Sequence, residues 1–397
     1  MIRRIVVVGG SLAGLRAVET LRNAGFDGSI TVIGDEPHLP YDRPPLSKRL
    51  LSGEWEPDRI ALRKPDDVDS LDVEWRRGVA ATALDPEGCS IATSDGSNVT
   101  YEGLVMATGA SARTLPGQDE HDHVMTLRTL DDALELRRRL VPGQQRVVVV
   151  GAGFIGLEVA ATARLLGNEV VVLEAGPAPL VRALGAEMGA AVAAVHADHD
   201  VEVRCGVQVA GLTRDAVLLD GGRHEPADVV VVGLGVVPAT GWLDGSGLEL
   251  RDGVVCRADL NVGFPLAYAA GDMVRWHNPL FDEEMRVEHW TNAAEQGALA
   301  ASNLISEASG QGTVAYAPVP FFWSEQYDRR VQFLGRAGPG DEARVVAGSV
   351  EARQFTALYG RGGRLCGVLG VNMPRNVMPF RQRLIEGIPF DDAVAQV

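Results

Sequence analysis

The 397-residue chain is too long for one ordinary hydrophobic core, which argues for two or three domains. Its 46% hydrophobic and 23% charged residues exclude a disordered chain. No apolar run reaches the roughly 18 to 20 residues that cross a bilayer. A net charge of −16 argues against a nucleic-acid binder. The N-terminal residues enter an apolar strand by Ile5 without a cleavage site, so a cytoplasmic location without a secretory leader is expected.

In chain order, Ile5–Val8 is a short β-branched run that reads as a buried parallel strand. Gly9-Gly-Ser-Leu-Ala-Gly14 follows, then a helix from Leu15 to about Asn23, and a strand Ser29–Ile33 ending at Gly34-Asp35-Glu36. This is a β-α-β unit with an acid at the end of its second strand. The same grammar returns with strand Arg146–Val150, Gly151-Ala-Gly-Phe-Ile-Gly156, a helix to about Leu166, and strand Val170–Leu173 ending at Glu174. A lone G-x-G-x-x-G is weak evidence. Two copies, each after a strand, opening a helix and trailed by an acid, read as two dinucleotide sites.

The residue types match the chemistry. Gly151 permits the tight turn, Gly153 lets the backbone approach a pyrophosphate, and Gly156 lets the helix pack on the strand. Unpaired N–H groups and the positive helix end then face the phosphates. In the first copy, Gly9 and Gly14 keep their places while Ser11 replaces the middle glycine, and its hydroxyl can donate to phosphate.

Further along, Leu104–Gly109 ends a strand in a sharp turn, and Leu115-Pro-Gly117 and Val141-Pro-Gly143 look like segment boundaries. Val229–Val232 is another buried strand ending at Gly233-Leu-Gly235, and Tyr268–Asp272 is a strand end carrying an acid. From about Phe321 the texture changes to short strands with glycine turns, and a final helix is expected from near Pro374 to Glu386. Cys89, Cys205, Cys256 and Cys366 lie far apart, which excludes a local redox dithiol, and no metal site is expected.

Leu39-Pro-Tyr-Asp-Arg-Pro-Pro-Leu-Ser-Lys48, Gly151–Glu158, Ala269–Asp272 and Val287-Glu-His-Trp-Thr-Asn292 carry a resemblance that spans the chain. It resembles the FAD-dependent NADH:ferredoxin reductases of bacterial oxygenase systems, the family of putidaredoxin, rhodocoxin and biphenyl dioxygenase reductases, with a fold of the glutathione reductase type. The resemblance implies an α/β protein with two Rossmann-like nucleotide-binding domains and a C-terminal α+β domain. A discontinuous FAD domain would comprise 1–112 and 243–320, an NAD domain 113–242, and the last domain 321–397.

It also implies roles for single residues. Gly9, Ser11, Ala13, Gly14, Asp35, Arg43, Lys48, Thr108, Gly109, Arg113, Gly271, Asp272, Trp290 and Trp323 would bind FAD. Gly151, Gly153, Phe154, Ile155, Gly156, Glu158, Glu174, Arg182 and Gly235 would bind the nicotinamide dinucleotide. Asp35 would take the adenosine ribose and Asp272 the ribityl chain. Lys48 and Glu158 would form an ion pair beside the flavin, with Trp323 at its edge, and these three are the catalytic candidates. The helix near Thr291–Asn292 would supply a positive field.

Glu174 favours NADH, because a 2′-phosphate would meet it as a like charge, although Arg182 could accommodate NADPH. The implied partner is an iron–sulfur ferredoxin of the two-iron, two-sulfur type, with the reductase a monomer and neither nucleic acid nor membrane involved. Arg43-Pro-Pro-Leu-Ser-Lys48 lacks the flavin-side cysteine of the disulfide reductases. Rubredoxin or monodehydroascorbate reduction stays open, as does a signalling flavoprotein resembling the apoptosis-inducing factor. Residues 321–397 carry a net +2 against −18 for the rest, so Arg329, Arg330, Arg336, Arg361, Arg364, Arg375, Arg381 and Arg383 are candidates for a ferredoxin-facing surface.

Overall fold

The computed structural model describes residues 2–338 and 340–396. They form two compact units. The first comprises Met1–Asp42, Ile60–Ser111 and Val237–Pro320, and the second Arg43–Arg59, Ala112–Val236 and Phe321–Val397.

In the first unit, five parallel strands lie in the order Ala267–Ala269, Gly103–Met106, Arg4–Val8, Ser29–Gly34, Glu74–Arg77. The central strand is continuously apolar because both its faces are covered, and Ile5 to Val8 are each at most 1% exposed. The helix Leu12–Asn23 follows that strand, starting three residues earlier than the apolar pattern suggests. It meets the long helix Trp290–Ala308 backbone to backbone: a Cβ on Gly297 would stand 2.2 Å from the Ala13 carbonyl oxygen. Antiparallel strands Ala81–Asp85, Ser90–Thr93 and Asn98–Thr100 form a small second sheet.

The second unit repeats the parallel sheet, in the order Glu202–Cys205, Glu169–Glu174, Arg146–Val150, Val229–Val232, Val124–Thr126. It also contains an antiparallel sheet ordered Phe321–Gln326, Arg329–Gly335, Arg364–Val371, Gln354–Arg361, Glu342–Ser349. The two sheets share one core, in which Phe333, Phe355, Tyr359 and Leu369 join Val147, Leu157, Leu184 and Met188. Burying each such side chain contributes about 1.5–3 kcal/mol. The Tyr359 hydroxyl adds a buried bond to the Leu184 carbonyl at 2.9 Å.

One segment groups away from its sequence neighbours, and one local expectation is corrected. The segment Arg43–Arg59 groups with the second unit although it lies within the first nucleotide fold in sequence, because Leu51 is buried in the second unit's core. The terminal helix is not continuous from Pro374. A single 3₁₀ turn spans Pro374–Asn376, the helix Phe380–Glu386 begins only after Pro379, and Gly387 ends it with φ +61°. A further helix, Phe390–Val394, follows Pro389. Proline lacks the N–H that a continuing helix needs, so each one resets the chain.

Candidate functional site

In the first unit the sheet delivers its central strand into residues 9–14. Gly9 has φ +118°, and a Cβ there would sit 2.1 Å from the Ala107 carbonyl oxygen, so only glycine fits. A Cβ on Gly14 would sit 1.9 Å from the Gly9 carbonyl oxygen, which is how the loop closes onto the helix. Ser11 is the N-cap, but its hydroxyl makes no capping bond, and the first helical turn holds no acid. The uncapped amides and the positive helix end are therefore available to an anion.

Around this cradle, Gly271 has φ +84° and donates its N–H to Gln296 Oε1 at 2.8 Å. A Cβ on Gly271 would contact the Ala13 methyl at 3.5 Å. Gln296 is fully buried, and its Nε2 has no hydrogen-bond partner among the described residues. A buried amide donor left in this way is costly unless a ligand oxygen takes it. The shape of the cradle and this orphaned donor both fit a bound dinucleotide. The helix Trp290–Ala308 starts after His289, also without a side-chain cap or an acid in its first turn. Burial pulls the His289 imidazole down to about 4, against the opposing charge of Asp272.

Three expected FAD ligands turn out to be partly committed elsewhere. The Thr108 hydroxyl donates to the Ala239 carbonyl at 2.7 Å, so a ligand would meet chiefly the Thr108–Gly109 backbone. The Ala239 N–H in turn donates to the Gly109 carbonyl at 2.9 Å. The Trp290 indole N–H donates to Asp42 Oδ1 at 2.7 Å, tying the helix start to the end of the Leu39–Asp42 segment. Asp35 is exposed and stands one position beyond the place Glu174 holds in the other fold. Gly9 and Gly151 donate to Ile33 and Leu173 respectively, so the counterpart of Glu174 is Gly34.

In the second unit, Gly151 has φ +106°, and a Cβ there would lie 2.4 Å from the Gly233 carbonyl oxygen. Gly156 is equally constrained, 2.2 Å from the Gly151 carbonyl oxygen, whereas Gly153 faces open space at the start of helix Phe154–Leu165. Glu174 is clamped beside this loop: Oε2 accepts the Ala152 N–H and Oε1 the Gly176 N–H, both at 2.7 Å. Each oxygen keeps a further lone pair for a ribose hydroxyl. The Arg182 guanidinium lies beside Gly235, 3.8 Å from the position of a Cβ there. Gly235 has φ +86°, and its carbonyl accepts the Arg113 N–H at 2.9 Å. Ile155 is exposed on the first helical turn, and Phe154 packs on Phe322 at 4.8 Å.

The same unit holds the ion pair. Lys48 Nζ and Glu158 Oε2 are 2.6 Å apart, with side chains only 14% and 3% exposed. Lys48 also donates to the Pro44 carbonyl at 3.0 Å. Glu158 receives two hydroxyls that sequence reasoning missed, Ser47 at 2.5 Å on Oε2 and Ser324 at 2.6 Å on Oε1. Burying two charges is expensive, and such satisfaction is what makes it tolerable. Strand alternation puts Ser324 on the Glu158 side and Trp323 on the other, stacked with Phe321 at 6.1 Å. Arg43 Nη1 donates to the Arg128 carbonyl at 2.6 Å.

All four cysteines are free thiols, and burial pushes Cys366 up to about 12. Among the described residues no group of three metal-binding side chains converges, and no helix is long and apolar enough to cross a membrane. The C-terminal arginines differ from what charge counting suggests. Arg361 makes two bonds, at 2.7 and 2.8 Å, to Asp341, whose side chain is only 4% exposed, and Arg364 donates to the Gly387 carbonyl. Both hold the domain together. Arg329 pairs with Asp328, while Arg330 and Arg375 are exposed.

Two Rossmann-like folds, each ending in a glycine cradle, define a glutathione reductase-type oxidoreductase that handles two nucleotides. The chain belongs to the pyridine nucleotide-disulphide oxidoreductase family, whose model matches residues 3–297, and a reductase C-terminal domain matches 321–396. It is 32% identical to putidaredoxin reductase of Pseudomonas putida over 98% of this chain and 93% of that one. It is 36% identical to the ferredoxin–NAD(+) reductase component of the anthranilate 1,2-dioxygenase system of Burkholderia cepacia, over 96% and 94%. Among solved structures, the covalent putidaredoxin reductase–putidaredoxin complex superposes with a TM-score of 0.93 at 32% identity, covering 99% of this chain and 95% of that one. Membership makes the chain an oxidoreductase and implies FAD and NADH as its nucleotides.

Proposed function

We propose that this chain is an NADH-dependent ferredoxin reductase serving an oxygenase, a cytoplasmic monomer whose acceptor is a two-iron, two-sulfur ferredoxin. The observation that carries the reading is the pairing of two intact cradles with a thiol-free Arg43–Lys48 segment. A disulfide reductase needs a cysteine there, and an electron-transfer flavoprotein does not. In this reading 1–112 and 243–320 form the FAD domain, 113–242 the NAD domain and 321–397 the C-terminal domain.

Bound FAD supplies the exchange between a two-electron hydride donor and a one-electron acceptor. The chain's own residues bind and orient. The Ser11 hydroxyl and the amides of Leu12–Gly14 hold the FAD diphosphate, with Arg43 adding charge. Asp35 takes the adenosine ribose, and Asp272 and the Gln296 amide hydrogen-bond the remainder of the cofactor. The start of helix Trp290–Ala308 supplies positive potential. The Gly151–Gly156 loop holds the NADH diphosphate, Glu174 accepts its ribose hydroxyls and Arg182 steadies the adenosine half. Lys48, fixed by Glu158, and Trp323 serve the flavin. No side chain is required as a general acid or base.

The test is NADH-dependent reduction of a panel of ferredoxins and rubredoxins by the purified yellow protein. Turnover with at least one two-iron ferredoxin is expected. Reduction of rubredoxin or monodehydroascorbate alone would overturn the assignment, as would slow turnover with every acceptor.

A further inference from the structure

Behind Glu158 runs a buried polar chain that the proposed function leaves without a role. Ser324 donates to Glu158 Oε1, and Gln326, two residues along the same strand and on the same face, donates its amide to Ser324 Oγ at 3.3 Å. His196, in helix Val181–Ala197, faces Gln326 Oε1 through Nε2 at 3.0 Å and the Tyr327 hydroxyl through Nδ1 at 3.3 Å. Ser324, Gln326 and His196 are each at most 1% exposed. Gln326 spends its N–H on Ser324, so its oxygen is left to accept, which requires the His196 proton on Nε2. Nδ1 then accepts from Tyr327. Every bond points the same way, towards the carboxylate, and aligned donors polarise one another in a low-dielectric interior.

A second observation concerns the outer end. Tyr327 sits in the two-residue turn between Phe321–Gln326 and Arg329–Gly335 with φ +55°, where glycine or asparagine is the usual occupant. Its ring is stacked on His199 at 3.7 Å and 8°, with His196 at its edge. The chain therefore keeps a bulky side chain in a left-handed turn, held from two sides. Burial lowers the His196 imidazole to about 4, with Gln326 opposing and His199 adding to the shift, so the ring is neutral at pH 7.

We propose that Tyr327, His196, Gln326 and Ser324 form a one-way chain of hydrogen-bond donors that positions Glu158, and through it the Lys48 ammonium, for the flavin; this rests on the reading that the Lys48–Glu158 pair serves the flavin. Ser324 and Gln326 act through Glu158 and are positioning residues. Ser324 fixes Oε1 of a carboxylate whose Oε2 is held by Lys48 and Ser47, so its loss removes the donor on Oε1 and loosens the carboxylate on that side.

The test has two arms on the flavin-loaded protein. With nitrogen-15-labelled histidine, NMR at pH 7 should show His196 as the neutral Nε2–H tautomer. An Nδ1–H tautomer or a charged ring would overturn the donor sense. In the second arm, the flavin midpoint potential and the stopped-flow rate of flavin reduction by NADH are measured for Glu158→Gln, Ser324→Ala, Gln326→Leu and the Glu158→Gln/Ser324→Ala double variant. Ser324→Ala should slow reduction roughly threefold to tenfold and shift the potential in the same direction as Glu158→Gln. Gln326→Leu, close in volume, should give a smaller change of the same sign and covers the case where Ser324→Ala loses its flavin. In the Glu158→Gln background Ser324→Ala should add nothing. If Glu158→Gln moves both readouts and the other single variants move neither, the chain is overturned and the flavin-side pair stands. If Glu158→Gln moves neither, the flavin-side reading falls and the proposal falls with it.

Discussion

Replacing Glu174 by alanine tests the coenzyme preference most directly. Its carboxylate accepts the Ala152 and Gly176 N–H groups at 2.7 Å each, so it stands locked beside the loop instead of swinging in solvent. A fixed negative charge there offers acceptors to both ribose hydroxyls of NADH and repels a 2′-phosphate. Together these are worth about 2 kcal/mol, or roughly 30-fold in kcat/KM in favour of NADH. Glu174→Ala should lower NADH kcat/KM by about that factor, mainly through KM. The change for NADPH should stay within about threefold, because losing the repulsion and loosening the loop act in opposite directions. The two amides left without an acceptor should cost roughly 1–2 kcal/mol of stability, since water reaches this half-buried site. Steady-state reduction of ferricyanide with each coenzyme measures the ratio without a ferredoxin, and urea unfolding measures the stability. Equal use of NADH and NADPH by the unmodified protein, or an unchanged ratio in the variant, refutes the reasoning.

Single replacement of Cys89, Cys205, Cys256 or Cys366 by alanine should leave NADH-to-ferricyanide turnover largely intact; a folded, yellow variant without activity would revive a thiol mechanism. Ferredoxin reduction should fall steeply between low salt and 1 M salt while ferricyanide turnover changes little, and Arg330→Glu with Arg375→Glu should raise KM for ferredoxin alone; a salt-independent rate would place docking on apolar contacts. Arg361→Glu is expected to act differently, lowering the melting temperature by stranding Asp341, so unchanged stability would contradict the structural role given to that pair. His196 and His289 have folded values near 4 against an ordinary 6.5, so the unfolded chain binds more protons in that interval. Stability should therefore be full above about pH 6.5 and fall towards pH 4, by up to roughly 1.4 kcal/mol per pH unit for each histidine, and urea midpoints across that range that stay level would contradict this.

The strands and cradles were legible because their physics is local. Val147–Val150 must be apolar where both faces are covered, and Gly9 or Gly151 must be glycine where a carbonyl oxygen occupies the place of a Cβ. The Lys48–Glu158 pair came from resemblance, since 110 residues separate its members and no periodicity links them. Ser324, Gln326 and His196 were illegible for the same reason: a serine beside Trp323 reads as strand alternation until the helix carrying Glu158 is placed against it. The one-residue offset between Asp35 and Glu174 escaped because counting from a glycine motif to the next acid ignores sheet register. Proline spacing at Pro374, Pro379 and Pro389 did contain the broken C-terminal helix, but an apolar pattern running through them masked it.

The core shared by the second parallel sheet and the C-terminal sheet bears on how this protein can be re-engineered. Residues 321–396 look like a cassette that could be exchanged with a relative's to change the acceptor. Yet Phe333, Phe355 and Tyr359 fill space against Leu157, Leu184 and Met188, and the Tyr359 hydroxyl is spent on the Leu184 carbonyl. A transplanted domain would arrive with its own side chains and meet a receiving surface shaped for others. Every mismatch there leaves a void or an overlap in an interior packed to crystal density. Acceptor specificity is therefore better altered at exposed positions of that domain, such as Arg330 and Arg375, than by swapping the domain whole.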